Sequence, residues 1–254
     1  MLKKRIIPVQ LLLGGRLVKT VNFGTWRDVG DPVTSSRVYN DQTADELIFL
    51  NIDRDKRSIE ALKAVIKRVS EVCFMPIAMG GGVTTAAEAS EIILSGADKV
   101  VLNSVCYRST EVIRSVSESF GAQSVTVCID ARYDAGQGRY VLYSDCGNRQ
   151  ETVTLAEHIG RMEEAGAGEI VIQSIDRDGT MSGFDIPLIQ EAMRATTLPV
   201  IAAGGSGNYE QLYEAFTKTG VSALACGSLF NFSDSNPIRA KAFLTNYGLP
   251  FKVV

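Results

Sequence analysis

The stretch ADELIFLNIDRD at residues 44–55 returns as AGEIVIQSIDRD at residues 167–178, displaced by 123 positions. Each copy carries an acidic residue (Glu46, Glu169), then a short apolar run, then Ile-Asp-Arg-Asp. An apolar run this short, bounded by polar residues, reads as a buried strand rather than a helix. Downstream, Pro76 with Gly81-Gly82 maps by the same displacement onto Pro199 with Gly204-Gly205. Two segments repeating at one offset in a chain of 254 residues imply two halves built on one plan. Apolar runs beginning near Ile6, Lys99, Val125 and Ser222 join those near Leu47, Pro76, Ile170 and Pro199, making eight candidate strands. Between them Ile59, Leu62, Val65, Ile66 and Val69 recur at helical spacing, Thr84-Thr85 looks like a helix start, and Gly121 looks like a stop. Eight strand-then-helix units in about 250 residues match the rhythm of an α/β protein of the (β/α)8 TIM-barrel class. The prediction is a single barrel domain over residues 1–254, built from two half-barrel repeats.

Composition removes several function classes. Twenty-six basic and 29 acidic residues give a formal charge of −3, and no basic tract is longer than Lys3-Lys4-Arg5. Nucleic-acid binding by phosphate neutralisation lacks the clustered positive charge it needs. The apolar runs fall far short of the roughly 20 residues of a membrane helix. Met1 to Leu13 imitates a secretory signal, but Pro8 and Gln10 interrupt it and no small-residue cleavage site follows, so it reads as a first strand. The five scattered cysteines form no C-x-x-C pair and fit reduced thiols, so a cytoplasmic location is expected. His158, the one histidine, reads as a solvated helix position beside the apolar spacing Leu155, Ile159, Met162. Histidine-based triads and zinc sites are thereby disfavoured, and neither a metal nor a cofactor is expected. Acid–base chemistry falls to carboxylates, lysines or tyrosines.

In a barrel of this class the site forms at the carboxyl ends of the strands. Those ends carry Gly80-Gly81-Gly82, Asn103-Ser104, Asp178-Gly179-Thr180, Gly204-Gly205-Ser206-Gly207 and Gly227-Ser228. Glycines there let backbone N–H groups approach a phosphate ahead of a helix N-terminus. One such set per half predicts two phosphate sites and a two-ended, phosphorylated small-molecule ligand. Asp130, closing the run Val125–Ile129, is the candidate acid–base group, with a cap or a salt bridge to Arg132 as the plainer alternative. Asp53, Asp176 and Asp178 could equally serve loop structure. At the strand starts, Arg5, Glu46, Lys99 and Glu169 alternate in sign and could either solvate the rim or close a ring across the barrel bottom.

The stretches KRIIP, GRLVKTVNF, RDVGDPV, ADELIFL, GGGV, GADKVVLNS, GAGEI, SIDRDGT and AAGGSGN run through nearly the whole chain. On them the chain resembles the cyclase subunit of imidazole glycerol phosphate synthase. The resemblance implies a barrel that docks a glutaminase on its N-terminal face as a heterodimer. It passes ammonia through the barrel to a substrate bearing two phosphates. It further implies an ammonia gate at Arg5, Glu46, Lys99 and Glu169, a partner-interface position at Asp98, and a mobile first loop holding Lys19. Phosphate-binding positions then fall on Gly82, Asn103, Ser104, Asp178, Gly179, Gly205 and Ser228, beside Gly81, Gly204 and Gly227 read from the strand ends.

The catalytic pair of that family is met only in part. Asp130 matches the carboxylate on strand five, but Leu11 stands where the cyclase has its strand-one carboxylate, and Asn51 where it has an aspartate. Losing one acid–base group costs about 10²- to 10⁴-fold. The entry IIPVQLLLGGRLVKTV is similar to a paralogous branch associated with acetamidino modification of surface sugars. There a separate sugar amidotransferase uses the ammonia. The leading expectation is therefore an ammonia-conducting barrel serving amidino-sugar formation in surface polysaccharide. The alternatives are a genuine cyclase of histidine biosynthesis, a non-catalytic scaffold that activates its glutaminase, and an unrelated phosphosugar isomerase.

Overall fold

The computed structural model describes residues 3–55 and 57–252. Met1 and Leu2, where the signal-like reading begins, lie outside the described residues, as do Lys56, Val253 and Val254 of the predicted domain span. Eight parallel strands close on themselves: β1 (Arg5–Leu13), β2 (Leu47–Asn51), β3 (Ile77–Gly80), β4 (Lys99–Leu102), β5 (Val125–Asp134), β6 (Glu169–Ser174), β7 (Val200–Ala203) and β8 (Ala223–Cys226). Closure comes from β8 pairing with β1, Arg5 opposite Ala223. Helices alternate with them: α1 (Pro32–Asp41), α2 (Ile59–Val69), α3 (Ala86–Leu94), α4 (Glu111–Phe120), α5 (Leu155–Glu164), α6 (Ile186–Ala195), α7 (Tyr209–Thr219), a short α8 (Ser228–Phe232) and α9 (Pro237–Asn246). The predicted (β/α)8 barrel is what the chain forms. Among the described residues no helix is long and apolar enough to cross a membrane.

The offset of 123 is built into the elements. It relates β3 to β7 end to end, α1 to α5 end to end, and Leu47–Asn51 of β2 to the last five residues of β6. It also relates the N-caps Thr85 and Asn208, whose side chains accept from backbone N–H groups of Glu88 and Gln211 at the starts of α3 and α7. The apolar runs pack in two shells. The outer shell, between strands and helices, holds Phe49, Leu62, Ile66, Ile92 and Phe216; the inner one fills the barrel with Ile7, Ile48, Ala78, Val101, Cys128, Val171 and Ile201. Burying each large aliphatic side chain stabilises the fold by about 1.5–3 kcal/mol.

Two antiparallel ribbons rise from the mouth. Arg16–Thr20 folds back on β1 and pairs with Trp26–Gly30, and Arg139–Ser144 pairs with the end of β5 and with Arg149–Gln150. The expectation of a solvated His158 is wrong. Leu155, His158, Ile159 and Met162 form one i, i+3, i+4, i+7 stripe, so the histidine belongs to the buried face of α5. Its ring is fully buried and stacks on Tyr107 at 4.0 Å between centroids. Neither ring nitrogen has a hydrogen-bond partner among the described residues. Burial, with Arg161 nearby, pushes the imidazole down to about 4, so it is neutral at physiological pH.

Candidate active site at the barrel mouth

Strand register places the key position of β5 level with its counterpart on β1, four strands away across the barrel. Leu11 pairs with Leu50 across β1–β2, and Asp130 pairs with Gln173 across β5–β6. Leu50 and Gln173 are related by the offset of 123, so Leu11 and Asp130 are equivalent positions of the two halves. Both line one cavity of about 720 Å³ that opens at the carboxyl ends of the strands. Asp130 is buried, accepts a hydrogen bond from Asn103 Nδ2 at 2.8 Å, and has the Cys128 thiol at 3.6 Å. Burial pushes its carboxyl up to about 7; the bonds from Asn103 and Cys128 oppose that shift, and Asp178 adds to it. A carboxyl poised there exchanges protons readily at neutral pH. The salt bridge to Arg132 does not form, because Arg132 lies beyond the barrel end and pairs with Asp176 at 3.1 Å. Leu11 presents only hydrocarbon to the same cavity.

The glycine-rich strand ends gather around this cavity in two sets. Gly81, Gly82, Asn103 and Ser104 line one side, and Gly179, Gly204, Gly205, Gly227 and Ser228 the other. Gly81 and Gly204 have φ +99° and +92°. A Cβ on either would run into the carbonyl oxygen of Asn51 at 2.1 Å or of Ser174 at 2.6 Å. Asn51 and Ser174 are again separated by 123, so the same backbone crossing is built twice. The Ser228 hydroxyl and the Asn103 Oδ1 are buried without hydrogen-bond partners among the described residues.

The first-loop lysine is held inside. Lys19 Nζ lies 2.6 Å from Asp178 Oδ1, and Thr20 Oγ1 donates to Asp178 Oδ2 at 2.6 Å. Both Lys19 and Asp178 are buried. Asn22 Nδ2 donates to the carbonyl oxygens of Ile175 and Asp176, which ties the loop tip to the second half. Across the mouth a cluster that sequence reading did not single out lines the cavity. Arg54 and Arg57 clamp Asp145 at 2.6 and 2.5 Å, and the Asp145 N–H donates to Ser104 Oγ at 2.9 Å. Arg54 belongs to the repeated Ile-Asp-Arg-Asp. Gln173 and Cys128, which also line the cavity, were hidden inside apolar strand patterns.

At the other end of the barrel the four charges close into a ring. Arg5 bonds Glu46 at 2.8 Å and Glu169 at 2.5 Å, while Lys99 bonds Glu46 at 2.9 Å and Glu169 at 2.5 Å. Burial raises the Glu46 carboxyl despite the attraction of Lys99, whereas Arg5 and Lys99 overcome burial at Glu169 and hold it below the usual range. Below the ring, Asp98 is exposed and caps β3 through its bond from the Ile77 N–H at 2.8 Å. Phe74 and Leu94, in segments entering β3 and β4 from this same face, are 82% and 77% exposed. No group of three or more His, Cys, Asp or Glu residues that could hold a metal occurs among the described residues.

Residues 5–235 match the family described as "Histidine biosynthesis protein". The chain is also similar to the imidazole glycerol phosphate synthase subunit HisF of Caulobacter vibrioides, in strains NA1000 / CB15N and ATCC 19089 / CIP 103742 / CB 15. In each case 38% of 253 aligned residues are identical, covering 100% of this chain and 97% of the relative.

Proposed function

The chain belongs to the histidine biosynthesis protein family, as a barrel of the imidazole glycerol phosphate synthase HisF kind, and from that membership we propose that it is the ammonia-receiving subunit of a glutamine-dependent synthase. The observation that carries this reading is the pairing, on one barrel axis, of an open cavity around Asp130 with a closed ring of Arg5, Glu46, Lys99 and Glu169 beneath it. A glutaminase docks on the strand-start face beside Asp98, Phe74 and Leu94, and ammonia released there enters through the ring. In the cavity a ligand with two phosphate ends lies across the mouth. One end meets Gly81, Gly82, Asn103 and Ser104; the other meets Gly179, Gly204, Gly205, Gly227 and Ser228, with Lys19 and Asp178 beside it. The unit works as one cytoplasmic barrel domain over residues 1–254.

The relatives being imidazole glycerol phosphate synthase subunits favours the cyclase reaction. Ammonia then converts the phosphoribulosyl-formimino-AICAR phosphate intermediate into imidazole glycerol phosphate and AICAR with release of one water, and Asp130 is the one carboxyl of the equivalent pair. Its position near 7 lets it both take and give a proton at working pH. A second reading is kept by one observation, the hydrocarbon wall that Leu11 makes where the half-barrel symmetry offers a second carboxylate. On that reading the barrel conducts ammonia to another acceptor, as in acetamidino-sugar formation. The amidino-sugar role finds no support in the names of the relatives.

The deciding experiment is ammonia-dependent cyclase turnover by the purified barrel, unmodified and with Leu11→Asp. Turnover by the unmodified chain supports the cyclase reading and removes the second. Turnover that appears only in Leu11→Asp, by about 10²-fold or more, moves the assignment to the second reading. Silence from both variants overturns cyclase chemistry at this mouth.

A further inference from the structure

The barrel interior between the ion ring and the cavity floor is packed with hydrocarbon, including Ile7, Ile48, Ala78 and Ile201. Thr126 interrupts it. Its neighbours Val125 and Val127 point to the outer shell and Cys128 to the inner one, so alternation sends Thr126 inward. Register sets it opposite Glu169 of the ring on one side and Val101, which lines the cavity, on the other. The residue is 1% exposed, and its hydroxyl has no hydrogen-bond partner among the described residues. A buried hydroxyl left without a partner is destabilising, and a valine of the same shape would not be. Above it on the same face of β5 stand Cys128 and Asp130, each about 6.6–6.8 Å further along the strand. The equivalent face of β1 offers Val9 and Leu11, with Ile7 two residues below, and carries no polar atom. The polar column therefore exists in one half only, and it runs from the ring to the candidate acid–base group.

We propose that Thr126 is a hydrogen-bonding way-station for neutral ammonia between the ion ring and the cavity, which rests on the ammonia-receiving role argued above. Ammonia carries three N–H donors and one lone pair, and in a hydrocarbon passage it has nothing else to bond. The Thr126 hydroxyl accepts from one N–H or donates to the lone pair. The molecule then moves up the column past Cys128 towards Asp130. The charged ammonium form gains too little from one hydroxyl to leave water, so selection for the neutral species follows from the same geometry.

Two measurements test this, using isosteric Thr126→Val and hydroxyl-retaining Thr126→Ser. The first is a methyl NMR titration of the barrel with ammonia at alkaline pH, against potassium chloride as control. Saturable shifts at Thr126 and Val101, with the Val101 response lost in Thr126→Val and kept in Thr126→Ser, support the site; their absence from the unmodified protein overturns it. The second gives the barrel–glutaminase complex amide-¹⁵N glutamine in excess unlabelled ammonium and measures the ¹⁵N fraction of the nitrogen product. Thr126→Val should lower that fraction about threefold to tenfold, the worth of one hydrogen bond, and Thr126→Ser should restore it. An unchanged fraction overturns the way-station. Should the unmodified complex incorporate no label while the titration is positive, the ammonia-receiving role falls and the binding site stands.

Discussion

Replacing Asp130 with asparagine should make the protein more stable while removing the proposed acid–base group, and the size of the gain can be worked from its surroundings. In the unfolded chain this carboxyl titrates near its ordinary value of 3.8; in the barrel, burial pushes it up to about 7. The folded state therefore resists ionising Asp130. For a group whose folded value is raised, its share of stability is full below the unfolded value and is lost as pH rises through the folded one. The window is pH 3.8 to about 7, and its full width is worth about 4 kcal/mol at 1.36 kcal/mol per pH unit. Asparagine keeps the shape, can still accept from Asn103, and never ionises. The difference in unfolding free energy between Asp130→Asn and the unmodified protein should be smallest near pH 4, climb by about 1.4 kcal/mol per pH unit, and level off above pH 7.

The assay is urea denaturation of both proteins between pH 4 and 8.5, with the Asp130 carboxyl ¹³C resonance followed by NMR over the same range. Subtracting the two curves removes every other titrating group. A flat difference, within about 0.5 kcal/mol across the range, would refute the burial argument, as would a resonance titrating near 4. A difference that climbs but stops near pH 5 would mean that the bonds from Asn103 and Cys128 offset most of the desolvation of the site.

His158 should give the opposite slope: its folded value lies below its ordinary 6.5, so stability is full above 6.5 and is lost as pH falls towards about 4. The loss amounts to about 3 kcal/mol, and His158→Phe, which keeps a ring against Tyr107, should flatten the profile between pH 4 and 6.5 when melting is followed. In the ion ring, Lys99→Met leaves buried Glu46 and Glu169 sharing only Arg5. Removing one member of a buried charge cluster should cost about 3–5 kcal/mol in urea denaturation. Adding Glu46→Gln should return part of that stability, because the orphaned carboxylate is what the single variant strands.

Half of the architecture was legible because the chain states it twice. The repeat located β2, β3, β6 and β7, and the glycines after β3 and β7 mark a crossing that tolerates no Cβ. Asp130 was legible for a related reason: a lone ionisable residue ending an apolar strand can face only the mouth. The ring was readable as four charges at strand starts, but its closure depends on barrel curvature that no local pattern encodes. His158 was misread because three apolar residues already filled the helical stripe, and the fourth member of the same stripe was polar. The Arg54–Arg57–Asp145 clamp was unreadable, since Asp145 stands about ninety residues from its partners, on a ribbon whose only local signal was its turn residues. Thr126 and Cys128 look, in sequence, like tolerable interruptions of a β run.

What the two halves keep in common and what they do not are separable by register. Backbone crossings, N-caps and glycine turns recur at one offset, as the proposed two-ended ligand would require. The side chains that face the axis on β1 and β5 share no such requirement, since the proposed function needs only one proton-transfer site and one path from ring to cavity. Val9 and Leu11 against Cys128 and Asp130 are the outcome: one column of hydrocarbon and one of polar atoms, in equivalent registers of a single barrel. An apolar column also has a use beside a polar one. It puts no competing acid–base side chain on the cavity wall across from Asp130. Introducing a carboxylate at Leu11 therefore does two things at once. It adds a second acid–base group, and it brings a like charge to the same cavity, which should move Asp130 further up. The pH dependence of Leu11→Asp, rather than its rate alone, distinguishes a restored pair from a merely wetted cavity: a pair titrates in two coupled steps, a wetted site in one that moves down towards 4.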